Sequence, residues 1–447
     1  MPDVSVPWGP SEYRLGLPEH WTIAQVATSS LRPAAGDWKE ALARCLDQPA
    51  TGLPLGRLLS ARRDGRIVLV VEDLTRHSPL ADILAILRRE IEHAGIAPER
   101  LEFVFATGMH PPLTAAEAAG KLGPAAEGIA RRCNPWRDKR AYVSVGRVEG
   151  VDVQIDRGVA DADLRILVSS VSPHLQAGFG GGYKMLVPGC ASLATIRQLH
   201  RQGAGRGLRA WVGTDGEANP MRKVIDGAGA LADGRKGTSF SLQYVLDDRD
   251  LPTLMAAGEP MPTQQMLAKQ CAVACGVVMN QPADVLITNA HPRDFDLWQC
   301  FKSIPNTMWA ARPNGVVICL ARCPAGVNGM TFPRVPMGQT WVRRLLRWFG
   351  PDALAGLAVR VLPRLAGEAA FFVRFAARAV HRNPILLVSP ALHEAGVRFP
   401  GLEIFGDAES AVAAAQRLLG PGPQRVVVFP SGGATYPVLP GPAEGPP

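Results

Sequence analysis

The sequence predicts an α/β fold in two domains, and three observations carry that expectation. Short apolar runs end repeatedly in polar loops: RIVLVVEDLTR (66–76), LEFVFATGMH (101–110) and DADLRILVSSVSPH (161–174). Runs of this kind read as buried parallel strands, because a strand covered on both faces has no polar side to alternate. Segments with helical periodicity follow the strands. The chain, at 447 residues, exceeds what one average core organises.

In order, PLADILAILRREIEHAG (79–95) reads as an amphipathic helix stopped by Gly95. Thr114 followed three residues later by Glu117 is a capping box that opens the next helix. A second α/β unit starts near Asn280: ADVLITNA (283–290) is a strand, DLWQCFKSI begins a helix, and NGVVICLARC and NPILLVSP are further strands. ESAVAAAQRLLG then reads as a helix and QRVVVFPSGG as a last strand. The expected division is an N-terminal domain over 1–277 and a C-terminal α/β domain over 278–423. A segment near 424–440 is a candidate to return to the first domain. The Pro/Gly-rich tail, 437–447, is expected to be loose.

Composition narrows the class. Apolar residues make up 47% and charged residues 20%, which excludes a disordered chain. The net charge of +8 could attract nucleic acid or anionic small molecules. Its Lys and Arg are scattered without interleaved aromatics, so no nucleic-acid partner is expected. No uncharged apolar stretch reaches the roughly 18 residues of a membrane span, and no membrane partner is expected. The first residues, MPDVSVPWGPSEYRLGLPEHW, lack the basic start and apolar core of a secretory signal. The eight cysteines read as ordinary buried thiols. The i, i+4 pairs Cys271/Cys275 and Cys319/Cys323 have apolar flanks that disfavour a metal. A cytoplasmic protein is expected.

The most informative run is SPHLQAGFGGGYKMLVPGCASLATIRQLH (172–200). Gly178 and Gly180 to Gly182 would let backbone approach a ligand or take positive φ. A helix start after the loop would offer N–H groups to an anion. The Walker pattern fails here, because Tyr183 precedes Lys184 and Met185 follows it. Lys184 remains open as an attachment point, a pyridoxal-phosphate lysine or a solvated lysine on a turn. His110 and His174 stand at strand ends, and His200 lies on the segment after the glycine loop. Histidines there can move protons or bind metal, but no HExxH pattern supports zinc. Asp73 and Arg76 share one loop, either as a carboxylate-binding fork with its partner or as a local ion pair. Gln299 and Lys302, three residues apart, share a helix face.

These motifs together resemble the nickel-pincer nucleotide-dependent lactate racemase family. The resemblance rests on DLTR (73–76), ATGMH (106–110), the run from SPH (172–174) through GFGGGYKMLVPG to TIRQLH (195–200), and WQCFK (298–302). They span most of the chain in the family's order. The resemblance implies an isomerase, a racemase or epimerase of a 2-hydroxy acid, with its cofactor in the cleft between the two domains. The cofactor would be a pyridinium-3,5-bisthiocarboxylic acid mononucleotide carrying nickel, attached to Lys184, with His200 as the protein's nickel ligand. Asp73, Thr75, Arg76, Gly180, Gly181, Gly182 and Pro188 would surround it. His110 and His174 would be the acid/base pair. Arg76, Lys302 and Gln299 would grip the substrate carboxylate, and Asp73 would hold the cofactor or orient Arg76. The implied partners are the substrate and the host enzymes that build the cofactor.

Five departures from the family pattern stand out: His77 where Pro is common, Pro111 where a basic residue is frequent, Gly180 for a serine, Trp298 for a tyrosine, and Phe371 at the position of a substrate-side tryptophan. They point away from lactate toward a related 2-hydroxy acid. The competing readings are a lysine-Schiff-base or zinc enzyme, an inactive cofactor-binding homologue, and a non-enzymatic binding protein.

Overall fold

The structure is a computed structural model that describes residues 2–203, 211–214, 216, 218–328, 337–362, 365 and 369–439, without the side chains of 369 and 371. It is an α/β protein of two compact units. Residues 31–203 and 213–273 form a mid-chain unit; the chain up to Ser30 and from Ala274 forms a terminal unit.

The mid-chain unit is built on a six-stranded sheet in the order Pro252–Gly258, Thr238–Leu246, Leu164–Ser170, Ile67–Val71, Leu101–Phe105, Ala130–Cys133. Only the first pair is antiparallel. Alternation explains why Ile67–Val71 is apolar throughout. Ile67, Leu69 and Val71 face one core with helix Leu80–His93; Val68 and Val70 face another with helices Leu193–Gln202 and Pro220–Arg235. Helix Leu80–His93 buries Leu80, Ile83, Leu84, Leu87 and Ile91, the 3–4 spacing its sequence shows. It ends at Ala94, with Gly95 at φ +68°. The capping box on helix Ala115–Leu122 is formed by Thr114 and Glu117.

The terminal unit holds a six-stranded, all-parallel sheet: Glu403–Phe405, Ile385–Val388, Ala311–Leu320, Ala283–Asn289, Gln424–Phe429, Trp21–Val26. The units depart from the expected 1–277 and 278–423 division in three places. Trp21–Val26 pairs with Gln424–Phe429, which ties the first thirty residues to the terminal unit. Gln424–Phe429 does not return to the mid-chain unit, because its apolar run needs a neighbour on each side and finds Ala283–Asn289 and Trp21–Val26. Tyr436–Val438 pairs with Gly276–Val278, so the first two residues of the tail expected to be loose are in a ladder; residues 440–447 lie outside the described residues. The i, i+4 cysteines are among eight that form no disulfide.

Candidate active site

The mid-chain sheet grows outward in both directions from the neighbours Ile67–Val71 and Leu164–Ser170. In open α/β sheets a ligand binds beyond the carboxyl ends of strands at such a point. Glu72 sits there and is 4% exposed. Its carboxylate accepts from the Ser170 amide and hydroxyl, from Ser78 Oγ at 2.7 Å and from the Tyr244 hydroxyl at 3.0 Å. Burial, and then the Glu72 charge, push the Tyr244 hydroxyl well up, so it stays a donor. Four donors on one buried carboxylate fasten three strand ends together.

Asp73, the next residue, accepts from His110 Nδ1 at 2.6 Å, from the Thr75 amide at 3.0 Å and from Thr75 Oγ1 at 2.5 Å. Burial alone would raise the Asp73 carboxyl. The hydrogen bond and charge of His110, the charge of Arg76 and the Thr75 hydroxyl outweigh burial and hold it well below the usual carboxylate range. Asp73 is therefore ionised and faces a proton on His110 Nδ1, so that whenever the ring is neutral its lone pair is on Nε2. The His110 side chain is 47% exposed and can meet a substrate. Arg76 Nη1 donates to Thr75 O at 3.2 Å and Thr75 Oγ1 at 2.9 Å. The geometry differs from the expected Asp73–Arg76 orientation: Asp73 orients His110, and Thr75 orients Arg76. Lys121, its ammonium pulled down chiefly by burial, donates to Arg76 O at 2.6 Å and Ser78 O at 3.3 Å.

His174 lies in a short hairpin of Pro173–His174 with Gly178–Phe179. Its Nδ1 accepts from the backbone N–H of Gln176 at 3.2 Å and Ala177 at 3.1 Å. Nδ1 is thus unprotonated, and the neutral ring carries its proton on Nε2. Gln176 also reaches His200 O at 3.4 Å. His200 is on helix Leu193–Gln202. Burial first, then the charges of Lys184 and His110, push it down to about 4. It is neutral near pH 7, the form that binds metal. Lys184 is half-buried on the turn Gly182–Met185. So Arg76, Thr75, Asp73 and His110 touch in sequence, and His200 lies close enough to Lys184 and His110 to feel their charges.

Protein packing accounts for the glycines more directly than a ligand does. Gly181 and Gly182 have φ +81° and +62°. A Cβ on Gly181 would lie 2.7 Å from Gln243 Oε1 and Val171 Cγ2, and one on Gly182 would lie 2.9 Å from Gln264 Cβ. Gly180 O accepts from Gln264 Nε2 at 3.1 Å. Nor is the next helix start left open to an anion, because the Ser192 side chain caps Thr195 N at 3.2 Å. Pro188 lies in a segment stitched to the His110 loop: Gly108 N donates to Gly189 O at 2.9 Å, and Asn134 Nδ2 donates to Gly108 O at 2.9 Å and Ala191 O at 3.0 Å.

On the terminal unit, Asp296 caps helix Leu297–Cys300 through Gln299 N at 2.8 Å. Lys302 Nζ donates to Gln299 Oε1 at 2.6 Å, so the i, i+3 pair shares a face. Trp298 packs edge-on against Phe372 with ring centroids 4.4 Å apart. The Phe371 side chain lies outside the described residues.

Residues 8–207 match the model of the lactate racemase N-terminal domain. The lactate racemase of Thermoanaerobacterium thermosaccharolyticum is 26% identical over 75% of this chain and 78% of its own. That of Lactiplantibacillus plantarum is 27% identical over 66% and 68%. On these matches the chain is similar to the lactate racemase family. The apoprotein structure of the Thermoanaerobacterium thermosaccharolyticum enzyme superposes with a TM-score of 0.80 at 21% identity, over 98% of this chain and all of that one. A crystal structure of a Thermotoga maritima protein gives 0.63 at 16% identity, over 93% and 100%. Both describe the same α/β fold.

Similarity to the named lactate racemases makes the chain an isomerase of racemase type. The hydrogen bonds show what motif reading left out. Glu72, Asn134, Trp136 and Arg222 carry none of the motifs, yet each braces one. Arg222, 1% exposed, donates to the carbonyls of Phe179 and Gly181 in the glycine loop. Trp136 Nε1 donates to His110 O at 3.1 Å. The one sequence signal was Glu72, a carboxylate ending an apolar strand. Among the described residues, no three His, Cys, Asp or Glu side chains gather to hold a metal ion.

Proposed function

We propose that this protein interconverts the configurations of a 2-hydroxy acid at the hydroxyl-bearing carbon, with a nickel-pincer nucleotide held by Lys184 and His200. The observation that carries the reading is the pair of imidazoles in complementary states. His110 offers a lone pair at Nε2 and His174 a proton at Nε2. Held there, such a cofactor would supply reversible hydride acceptance at the substrate carbon. His110 removes the hydroxyl proton from one configuration and sheds it to solvent, and His174 protonates the other and regains its proton from solvent; in the reverse direction the roles exchange after the same solvent exchange has emptied His174 Nε2 and filled that of His110. Asp73 stabilises the imidazolium that forms on His110, as a carboxylate does behind a catalytic histidine. Thr75 turns Arg76 toward the substrate carboxylate, and the Gln299–Lys302 pair is assigned to that same group.

The substrate side chain is proposed to be larger than methyl, because Trp298 and Phe371 depart from the family pattern. An added methylene is worth about 1–3 kcal/mol in an apolar pocket, so preference should be graded. The test is protein purified from its native host. Intact mass should show an adduct on Lys184, and a panel of lactate, 2-hydroxybutyrate, malate, phenyllactate and sugar acids should rank a larger acid first. An adduct-free, nickel-free protein that racemises would overturn the cofactor assignment. Lactate leading by about tenfold would overturn the enlarged side chain alone.

A further inference from the structure

The terminal unit presents an inverted helix. In Gln339–Phe349 the buried positions are Gln339, Arg343 and Leu346, while Trp341, Trp348 and Phe349 are 60%, 62% and 60% exposed. A helix that only served its own core would turn the tryptophans inward and the glutamine and arginine outward. The next helix, Pro351–Val361, continues the pattern, with Leu357 at 56% and Val361 at 66% one turn apart. The two helices contact each other and both contact helix Ala369–Arg382. Exposed apolar side chains in such a concentration mark a contact surface.

Charge identifies the contact. Between residues 337 and 382 there are eight arginines, no lysine, and only Asp352 and Glu368 as acids, a net +6 out of +8 for the whole chain. The other 401 residues together carry +2. This segment departs from the expectation of scattered cations without interleaved aromatics: the Arg344 guanidinium lies 4.8 Å from the Trp348 ring centroid and 5.7 Å from that of Trp341. A second copy docked face to face would set the exposed Arg344, Arg347 and Arg360 against their own counterparts, which is repulsive. Tryptophan and leucine-type residues beside arginine, on helices lying flat at a surface, match the chemistry of an anionic phospholipid interface: rings at headgroup level, guanidinium groups on lipid phosphates.

We propose that the surface made by helices Gln339–Phe349 and Pro351–Val361 docks the protein peripherally on an anionic membrane. No helix among the described residues is long and apolar enough to cross one; lying on a bilayer needs no crossing. The expectation of no membrane partner rested on the lack of a span, and it does not cover this mode.

The test is co-sedimentation of the full-length protein with equimolar phosphatidylglycerol/phosphatidylcholine vesicles and with phosphatidylcholine alone, at low and high salt. The protein should pellet with the anionic vesicles and be released by salt. Trp341→Ser with Trp348→Ser should weaken binding by at least about tenfold. Arg344→Ser with Arg360→Ser should weaken it about fivefold per arginine. Both pairs are exposed, so thermal melts should match the wild type. Absence of pelleting overturns the proposal and leaves an acidic protein as the partner. Tryptophan variants that bind like the wild type overturn it too. So does a dimer in sedimentation velocity that the tryptophan variants abolish while vesicle binding is absent.

Discussion

In the loop Thr107–His110 the imidazole Nδ1 donates to the Asp73 carboxylate; in the hairpin of Pro173–His174 with Gly178–Phe179 the imidazole Nδ1 accepts from two backbone N–H groups. The same side chain is thus fixed in opposite tautomers by different means. The partner of His110 is a titratable side chain that a point mutation removes. The partners of His174 belong to the main chain and survive most substitutions. One half of the proposed acid/base pair is therefore open to change by mutation, and the other is set by the fold.

The largest effects should come from deleting the rings. His110→Ala and His174→Ala should each lower kcat by roughly 10²–10⁴, and both should retain nickel. The comparison predicts more than loss. Each variant should still release keto acid from one configuration of the substrate and not from the other, with opposite choices. Chemical quench and detection of the keto acid would read this; equal release from both configurations in either variant would remove the one-histidine-per-configuration scheme.

Asp73→Asn should cost less, about 10–100-fold, the range for removing a partner that fixes a histidine's tautomer. An amide can present its own N–H to His110 Nδ1 and shift the lone pair to the wrong nitrogen. Keto-acid release should fall for the same configuration that His110→Ala loses. A fall for the other would mean that Asp73 acts on something besides His110.

The same substitution tests stability. The folded Asp73 carboxyl sits well below its ordinary value, so in the unfolded chain it binds its proton first as pH drops. Its stabilisation is complete above about pH 4, the unfolded value, and is lost as pH falls below that toward the folded value. Wild type should exceed Asp73→Asn by about 1–3 kcal/mol near neutrality, with the gap closing only below about pH 4. Urea melts at several pH values would measure it. A gap that closes between pH 5 and 7 would instead implicate a histidine.

How much of this was legible in the sequence follows from range. Strand ends with Asp73, His110 and His174 could be read because parallel strands buried on both faces leave continuous apolar runs, and the chain returns to polar residues where they stop. The capping box at Thr114 and the helix stop at Gly95 are local and were equally visible. What escaped was long-range. Trp21–Val26 alternates weakly, and its place is decided by Gln424–Phe429, some four hundred residues away. The glycines of 178–182 look like a ligand cup, but the atoms that demand them belong to Gln243, Gln264 and Thr214. Asn134 bonds Gly108 and Ala191, an arrangement that no pattern around RRCNPW announces.

The smallest effect should come from Trp136, and it separates holding the His110 ring from holding its backbone. Its indole N–H donates to His110 O at 3.1 Å while Arg137 stacks 4.3 Å from the ring centroid. Trp136→Phe keeps an aromatic face for Arg137 and deletes one hydrogen bond, worth about 0.5–1.5 kcal/mol. If that bond positions His110, kcat should drop by about two- to tenfold with KM unchanged, because substrate carboxylate contacts are assigned to Arg76 and Lys302. Combined with Asp73→Asn, the losses should be less than additive, since a ring already in the wrong tautomer gains little from a well-placed backbone. Full additivity would mean that Trp136 supports the fold of the loop and not the histidine. A rise in KM at constant kcat would move Trp136 to the substrate side, and would make the two histidine loops more alike than their hydrogen bonds suggest.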